Sequence, residues 1–465
     1  MHILSILTYK LPKPAKLRIP LPVLLGVLLY LGCRKPEDIP ANPAKPEIRM
    51  TAVLPNSQTR IRTVHLHRDT VYILAEDFTR EEGEELIIDA GTLIKANTGG
   101  NTSITIRPGG YINAEGTATA PIVFTSNNLQ GNQHGNWNGI QIEGKALNND
   151  NPGAGVGVDS SGVLAYTRIE FAGLRLRSVG SATRLDHIQV SYCNLQSSFE
   201  FEGGSFNARN LVSYASSGAA DFYITKGYSG YLQYLLAYRH PYFGNNAVNY
   251  PYATLCGLFI ENNPNDPSAS PGTFPIISNL SVIGPAGQNG IAASYSDTVS
   301  NRSAALVTTG HASFRIRNSV LAGFPEAAWY LDDYETAFAI NFEQAGAGYS
   351  VFQSTHLDRS FYLQPGAYSP YSSQDFKEFE LRDNFHNRLV AATSELKLTD
   401  PYNYNQPLLV LQDGSPLSEG ANFEGPPYDN AYFEKINYIG AFGMDNWLSG
   451  WTNFIPLKTD YNFPG

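Results

Sequence analysis

The sequence predicts an all-β chain wound as a parallel β-helix, a solenoid of about ten coils by its repeat period. Three observations carry this expectation. Apolar–polar alternation runs through most of the chain, whereas helical periodicity is hard to find. The 42 Gly and 29 Pro provide for many tight turns. Short segments also recur at intervals of about 20 residues, the mark of a repeat architecture.

The repeats set the elements in order. "DAGTLIKA" (89–96) aligns with "RPGGYINA" (107–114) at a shift of 18. "IEFAG" (169–173), "VSYCN" (190–194), "VSYAS" (212–216) and "LAYRH" (236–240) follow one another at shifts of 21, 22 and 24. A second track runs between them: Leu174-Arg175-Leu176, Phe199-Glu200-Phe201 and Phe222-Tyr223-Ile224, followed by turns at Gly180, Gly203 and Gly227. "SNLSVIGP" (278–285) lies on "RNSVLAGF" (317–324) at 39, read as two periods, with Asn279 over Asn318 and Gly284 over Gly323. Strands stack about 4.8 Å apart and a strand residue advances about 3.3 Å. A unit of about 20 residues with several corners therefore lands on its own preceding turn. Leu174, Leu176, Phe199, Phe201, Phe222 and Ile224 should point inward and stack. Arg175, Glu200 and Tyr223 should form one outward column. Glycine suits the corners because it adopts positive φ without strain.

The ends read differently. Lys10, Lys13, Lys16 and Arg18 precede the apolar run "LPVLLGVLLYLG" (21–32) and then Cys33. A bilayer span needs about 20 apolar residues, so this run reads as a signal peptide. Gly32-Cys33 resembles a lipobox, with Tyr30 where Leu is usual, and makes Cys33 the expected lipidation site. The expected order is a lipoprotein signal peptide (1–32), a Pro-rich tether (33–59) and the β-helix (60–325). An irregular C-terminal region and cap (326–465) follow, continuous with the helix. "SQDFKEFELRDNFHNRLV" (373–390) carries a partial helical spacing in Phe376, Phe379, Leu381 and Phe385. Trp447 and Trp451 fall in the segment read as the cap over the last open edge.

Composition and motifs exclude several functions. With 32 basic against 42 acidic residues and a net charge of -10, no nucleic-acid track is expected. No Gly-rich phosphate loop, HExxH or CxxC occurs, and no cofactor or metal site is expected. Cys193 and Cys256 lie about three coils apart and read as separate thiols. β-Elimination from a uronate needs a base and charge neutralisation; Arg209, Lys226, Arg239 and His240 fall on adjacent coils, with no compact acidic cluster expected beside them. Glycoside hydrolysis needs carboxylates ~5–9 Å apart. Asp186, Glu200, Glu202 and Asp221 are candidates, and Glu200 and Glu202 share one strand face. Asp332-Asp333 lies elsewhere. Tyr228, Tyr231, Tyr234, Tyr238, Tyr242, Tyr250 and Tyr252 crowd one stretch and suit stacking on sugar rings. The candidate binding residues are therefore Arg175, Glu200, Tyr223, Tyr228 and Tyr231.

An ordered set of segments also resembles a known family. These are "LIIDAGTLIKA", "ITIRPGGYINAEGTATAPIVFTSNN", "NWNGIQIEGKA", "DSSGVLAYTRIEFAG", "VGSATRLDHIQVSYCN", "FEFEGGSFNARNLVSY" and "YFEKINYIGAFGMDNWLSGWTNF". Over residues 60–325 and 410–456 the chain is similar to Bacteroidetes-type secreted lipoproteins of the right-handed parallel β-helix, pectate-lyase-like class. Members generally have no assigned activity, so the resemblance implies a fold and a location more than a reaction. Relatives often carry paired Asp where this chain has Ser197-Ser198 and Ala219-Ala220, which puts any Ca²⁺ site of theirs in doubt here. The combined expectation is a lipoprotein of the cell outer membrane, anchored through its N-terminal lipid and surface-exposed. It would act as a binding or structural module for a polysaccharide or a surface protein. The alternative is a polysaccharide lyase or glycoside hydrolase of the pectate-lyase-like fold.

Overall fold

Each coil lays one strand into a ten-stranded sheet, then turns a corner into a seventeen-stranded sheet that wraps the rest of the coil. The structure, a computed structural model, describes residues 45–53, 58–98, 102–128, 137–151, 155–241, 256–285, 303–355 and 357–461. Lys45–Thr459 form one compact unit. The signal peptide, Cys33, most of the tether, Tyr242, Tyr250 and Tyr252 lie outside the described residues. Every pairing between coils is parallel, and the winding is that of a right-handed β-helix. Strands begin at Glu47–Arg49 and continue to Arg388–Leu389, beyond both limits drawn from the repeats.

The inward column follows directly from the alternation. Leu174 pairs with Phe199 and Phe199 with Phe222, while Leu176, Phe201 and Ile224 stack beside them. All six are buried, and the Phe199 and Phe222 rings stack at 4.9 Å. The column extends from Phe78 through Ile104 and Ile140 at one end to Leu258, Leu306, Trp329 and Phe361 at the other.

The long strands of the second sheet bend at one position in each coil. Tyr166, His187, Asn210, Tyr234, Asn279, Asn318 and Tyr349 occupy the bend with φ between 46° and 59°. Asn tolerates this left-handed region better than most residues, which accounts for three of the seven.

Three expectations from the repeats change. The 39-residue match is a single coil: Ile277 pairs with Ile316 and Ser281 with Val320, with a long excursion between the strands. Val190 pairs with Ser213, so "VSYCN" and "VSYAS" are one residue out of register. The 18-residue match does not join stacked positions, because Ile88 pairs with Ala114 while Ala96 pairs with Ser126.

The C-terminal segment lies along the side of the coils, not over their end. The Asn318 amide exchanges bonds with the backbone of Asn422, and Asn279 donates to the carbonyls of Tyr438 and Gly440. Gln233 bonds both ways with the Glu434 backbone, and Gln189 does the same with Asn453. Trp451 is buried in this strap, edge-on to His187 at 5.5 Å. The core beside the last strand of the ten-stranded sheet is instead covered from the predicted helical stretch. The expected helix forms as α2 (Ser373–Glu380), and a helix not expected from the sequence, α1 (Tyr334–Asn341), precedes it. Phe376 of α2 packs on Trp329 at 5.1 Å and on Phe361 at 5.6 Å.

Candidate functional site

The outward column of the ten-stranded sheet reads, coil by coil, Thr105, Gln141, Arg175, Glu200, Tyr223, Phe259, Val307, Tyr330 and Tyr362. Arg175, Glu200 and Tyr223 are thus neighbours, as the alternation requires. A second outward column alternates in charge: Glu143, Arg177 and Glu202 on successive strands, with Arg107 bonded to Glu143 at 2.8 Å. Arg175 binds Glu200 at 3.1 Å and Glu202 at 2.8 Å. Lys226 reaches Asp150 at 2.8 Å and Glu202 at 3.5 Å, and Arg177 reaches Asp150 at 3.5 Å.

This acid–base cluster is more compact than the sequence suggested, and it neutralises itself. Glu202 is held below the usual carboxylate range: Arg175, Lys226 and Arg177 outweigh the desolvation that acts against it. Glu200, beside it on the same strand, is pushed up to about 7 by burial, with Glu202 adding repulsion and Arg175 opposing. The two carboxyls act as a coupled pair. A cleft of about 450 Å³ opens next to them, lined by Arg107, Lys145 and Arg177 among others. Each of these cations meets a carboxylate, Lys145 through Glu82 at 2.7 Å.

Among the described residues, the tyrosines of this stretch form no exposed sugar platform. Tyr228 is wholly buried, its ring against Phe206 at 4.8 Å and its hydroxyl donating to the Phe206 carbonyl. Tyr223 is buried, stacked on Phe259, and donates its hydroxyl to Glu261. Tyr231 is half-buried beneath the strap, stacked on Tyr432 at 5.7 Å. Tyr234 and Tyr238 are also buried.

The candidate catalytic sets disperse. Asp221 is sealed from solvent and pairs with buried Arg239 at 2.8 Å, and Asp186 bonds His187. Arg209 donates to the Tyr432 carbonyl, and only Lys226 joins the carboxylates of the outer face. Cys193 and Cys256 are separate buried thiols.

A different site emerges on the bent sheet. Arg315 and Arg317 sit two residues apart on one short strand and therefore share a face. Their partners on the next strand are Gly346 and Gly348. With no side chains opposite, a cleft of about 290 Å³ opens, close to the ~300–1,000 Å³ of small-ligand sites. Its walls include Tyr349, Tyr428 and Glu380. Arg317 lies 4.6 Å over the Tyr428 ring and 5.4 Å from the Tyr349 ring. Arg315 donates to the Glu343 carbonyl at 2.8 Å, and Arg317 to the Glu424 carbonyl at 3.0 Å.

Neither guanidinium forms an ion pair among the described residues. The Glu343 carboxylate turns instead to Arg382 at 3.1 Å. Burial, with the like charge of Arg317 adding to it, lowers the Arg315 guanidinium below its ordinary value. Burial drives the Glu380 carboxyl well above the usual carboxylate range. Two guanidiniums thus lie side by side in the cleft, with Glu343 and Glu380 in its wall and neither carboxylate within ion-pair distance of Arg315 or Arg317 among the described residues. The sequence gives no sign of it: "RIR" (315–317) reads as an ordinary strand with solvated outer charges.

Parallel strands stacked coil upon coil define the β-helix class. The family description for a pectate-lyase-like β-helix domain matches residues 58–358, and the chain belongs to that family. Among solved structures it is similar to the crystal structure of pectate lyase Pel9A, at 14% identity and a TM-score of 0.35 over 78% of this chain and 89% of that one. Comparison with curated protein sequences gives no match.

Proposed function

We propose that the protein is an exported glycan-binding module, anchored through Cys33 at the outer membrane, that takes an acidic sugar into the Arg315–Arg317 cleft. One observation carries this reading: two guanidiniums with no carboxylate partner share an aromatic-walled cleft. A planar carboxylate matches the fork of donors on Arg, and Tyr349, stacked on His386 at 4.5 Å, stands in the wall beside it. The test is calorimetric titration with uronate oligomers and with neutral oligomers of the same linkage. Acidic oligomers should bind more tightly, weaken with added salt, and lose most of their affinity in Arg315→Ala/Arg317→Ala. Equal binding of neutral and acidic oligomers, or unchanged affinity in the double variant, would overturn it.

A second reading, glycoside hydrolysis, is favoured by the Glu200–Glu202 pair, whose surroundings push the two carboxyls in opposite directions. Such a split assigns acid and base roles in glycosidases. It ranks below binding because Arg175 bridges both carboxylates and Glu202 is buried. Release of reducing ends from polygalacturonate, abolished by Glu200→Gln, would raise it to first place.

A further inference from the structure

We propose that His65, His67 and Asp89 form a site for a divalent transition metal, with Zn²⁺ the best-matched ion, that ties the first coil to the second. The site is independent of the glycan cleft.

The placement comes from register. His65 is the third residue of the strand Thr63–Leu66, and His67 follows its end. This strand pairs in parallel with Glu85–Ile88, with Leu66 beside Ile88. The next residues, His67 and Asp89, are therefore brought side by side. Leu66 points into the core and is buried, so His65 and His67 both project outward, as alternation demands. Both histidines are exposed, and Asp89 is partly so.

The donor atoms converge. His65 Nε2 lies 2.7 Å from Asp89 Oδ1, and His67 Nδ1 lies 3.0 Å from Asp89 Oδ2. The imidazole rings are 4.0 Å apart, centroid to centroid, and tilted by 46°. One ligand atom from each residue falls within 4.8 Å of the other two. Zn–N and Zn–O bonds are about 2.0–2.2 Å, so donors this close can share one ion with small side-chain rotations. His65 stands in the strand, and His67 opens the turn that follows it.

The donor set decides the metal. Two imidazoles and one carboxylate suit Zn²⁺, Ni²⁺ or Cu²⁺; Ca²⁺ and Mg²⁺ want a shell of oxygens. Two neutral imidazoles and one carboxylate carry a single negative charge, which a dication reverses without any further burial of charge. Three protein ligands leave at least one position for water or an outside ligand.

A second cluster, His311, Asp333 and Glu335, meets the same distance condition. Its Asp333 is half engaged: Oδ1 accepts from the Thr336 amide as the N-cap of α1 and from the His311 amide, which leaves Oδ2 alone to face the cluster. The first cluster, with two imidazoles on one carboxylate, is the better match to Zn²⁺, and the second serves as the control.

The consequence is mechanical. The strand Thr63–Leu66 belongs to the first coil, which has a neighbour on one side only in this part of the sheet. A metal bound to the folded chain alone would stabilise it by mass action.

The experiment uses the full folded chain without a polyhistidine tag, stripped with chelator and titrated with ZnCl₂, NiCl₂, CaCl₂ or MgCl₂. We expect one high-affinity Zn²⁺ per chain and a rise in melting temperature with Zn²⁺ or Ni²⁺ but not with Ca²⁺ or Mg²⁺. His65→Ala/His67→Ala should weaken Zn²⁺ at least about 100-fold, and His311→Ala should leave it unchanged. On the unaltered chain, Zn²⁺ should protect His65 and His67 from carbethoxylation, read by peptide mass; this arm needs no variant to fold. No Zn²⁺ binding by the parent, equal binding by the double variant, or no protection of His65 and His67 would each overturn the proposal.

Discussion

Arg239 and Asp221 form an ion pair of 2.8 Å with both side chains sealed from solvent at a corner of the coil. The guanidinium makes five hydrogen bonds in all. Asp221 accepts from the Ser213 hydroxyl at 2.6 Å, and the guanidinium donates to the carbonyls of Ser216, Gly218 and Cys256. The pair stitches the stretch leading into one strand of the ten-stranded sheet to the start of the next. Asp221→Ala leaves a buried guanidinium without its counter-charge. It should destabilise the fold by about 3–5 kcal/mol, measured by urea denaturation. A loss under about 1 kcal/mol would show that the carbonyls alone satisfy Arg239.

The interior column gives a sharper contrast. Phe201 is fully buried between Leu176 and Ile224, with Phe206 edge-on at 5.0 Å. Phe201→Ala should cost about 3–5 kcal/mol through the cavity it leaves. Glu200→Ala, one residue away on the outer face, should cost about 0.5 kcal/mol or less. Equal losses in denaturant would contradict the division into inner and outer faces.

That division was legible because one face of these strands is apolar and the other charged, so a period of two shows in the sequence. It failed where both faces are buried. Gln189 and Gln233 are inaccessible although polar, because the strap from the far end of the chain bonds them, and Ser213 is buried against Asp221. Without alternation, nothing pins the register, and Val190 was set against Val212 when its partner is Ser213. The site was less legible than the fold for a related reason. Arg315 and Arg317 matter because Gly346 and Gly348 lie opposite them and Tyr428 returns from far along the chain. Tyr228 was misread for the opposite reason, since a tyrosine after a glycine corner can turn its ring either way. The self-cancelling ladder was half legible: Arg175, Glu200 and Glu202 were seen, but Asp150 comes from a distant loop.

The Glu200–Glu202 pair makes stability depend on pH with a definite sign. Burial raises the Glu200 carboxyl from 4.5 to about 7, so between these values the folded chain holds a proton that the unfolded chain releases. The Glu200 contribution is therefore fully present below about pH 4.5, is lost as pH rises through about 7, and changes little above that. Glu200→Gln, neutral throughout, should remove this slope. The difference in denaturation midpoint, variant minus parent, should grow from pH 5 to pH 8. A constant difference across that range would show that Glu200 ionises normally.

The last prediction concerns turnover. β-Elimination from a uronate polymer needs a positioned base and a cation or metal at the substrate carboxylate. On the outer face of the ten-stranded sheet, Lys226 is the lysine beside the carboxylates, and its ammonium is already bound by Asp150 and Glu202. Ca²⁺ asks for six to eight oxygens, yet Glu200, Glu202 and Asp150 are each engaged by Arg175, Arg177 or Lys226, and Asp221 is buried with Arg239. Pectate or alginate should therefore give no ultraviolet-absorbing unsaturated product, with or without Ca²⁺. Ca²⁺ should not raise the melting temperature either, since only an ion that binds the folded state would do so. If product forms and is lost in Lys226→Ala, the ladder is a catalytic site, and the acidic sugar that the Arg315–Arg317 cleft is proposed to hold becomes the substrate's second point of attachment.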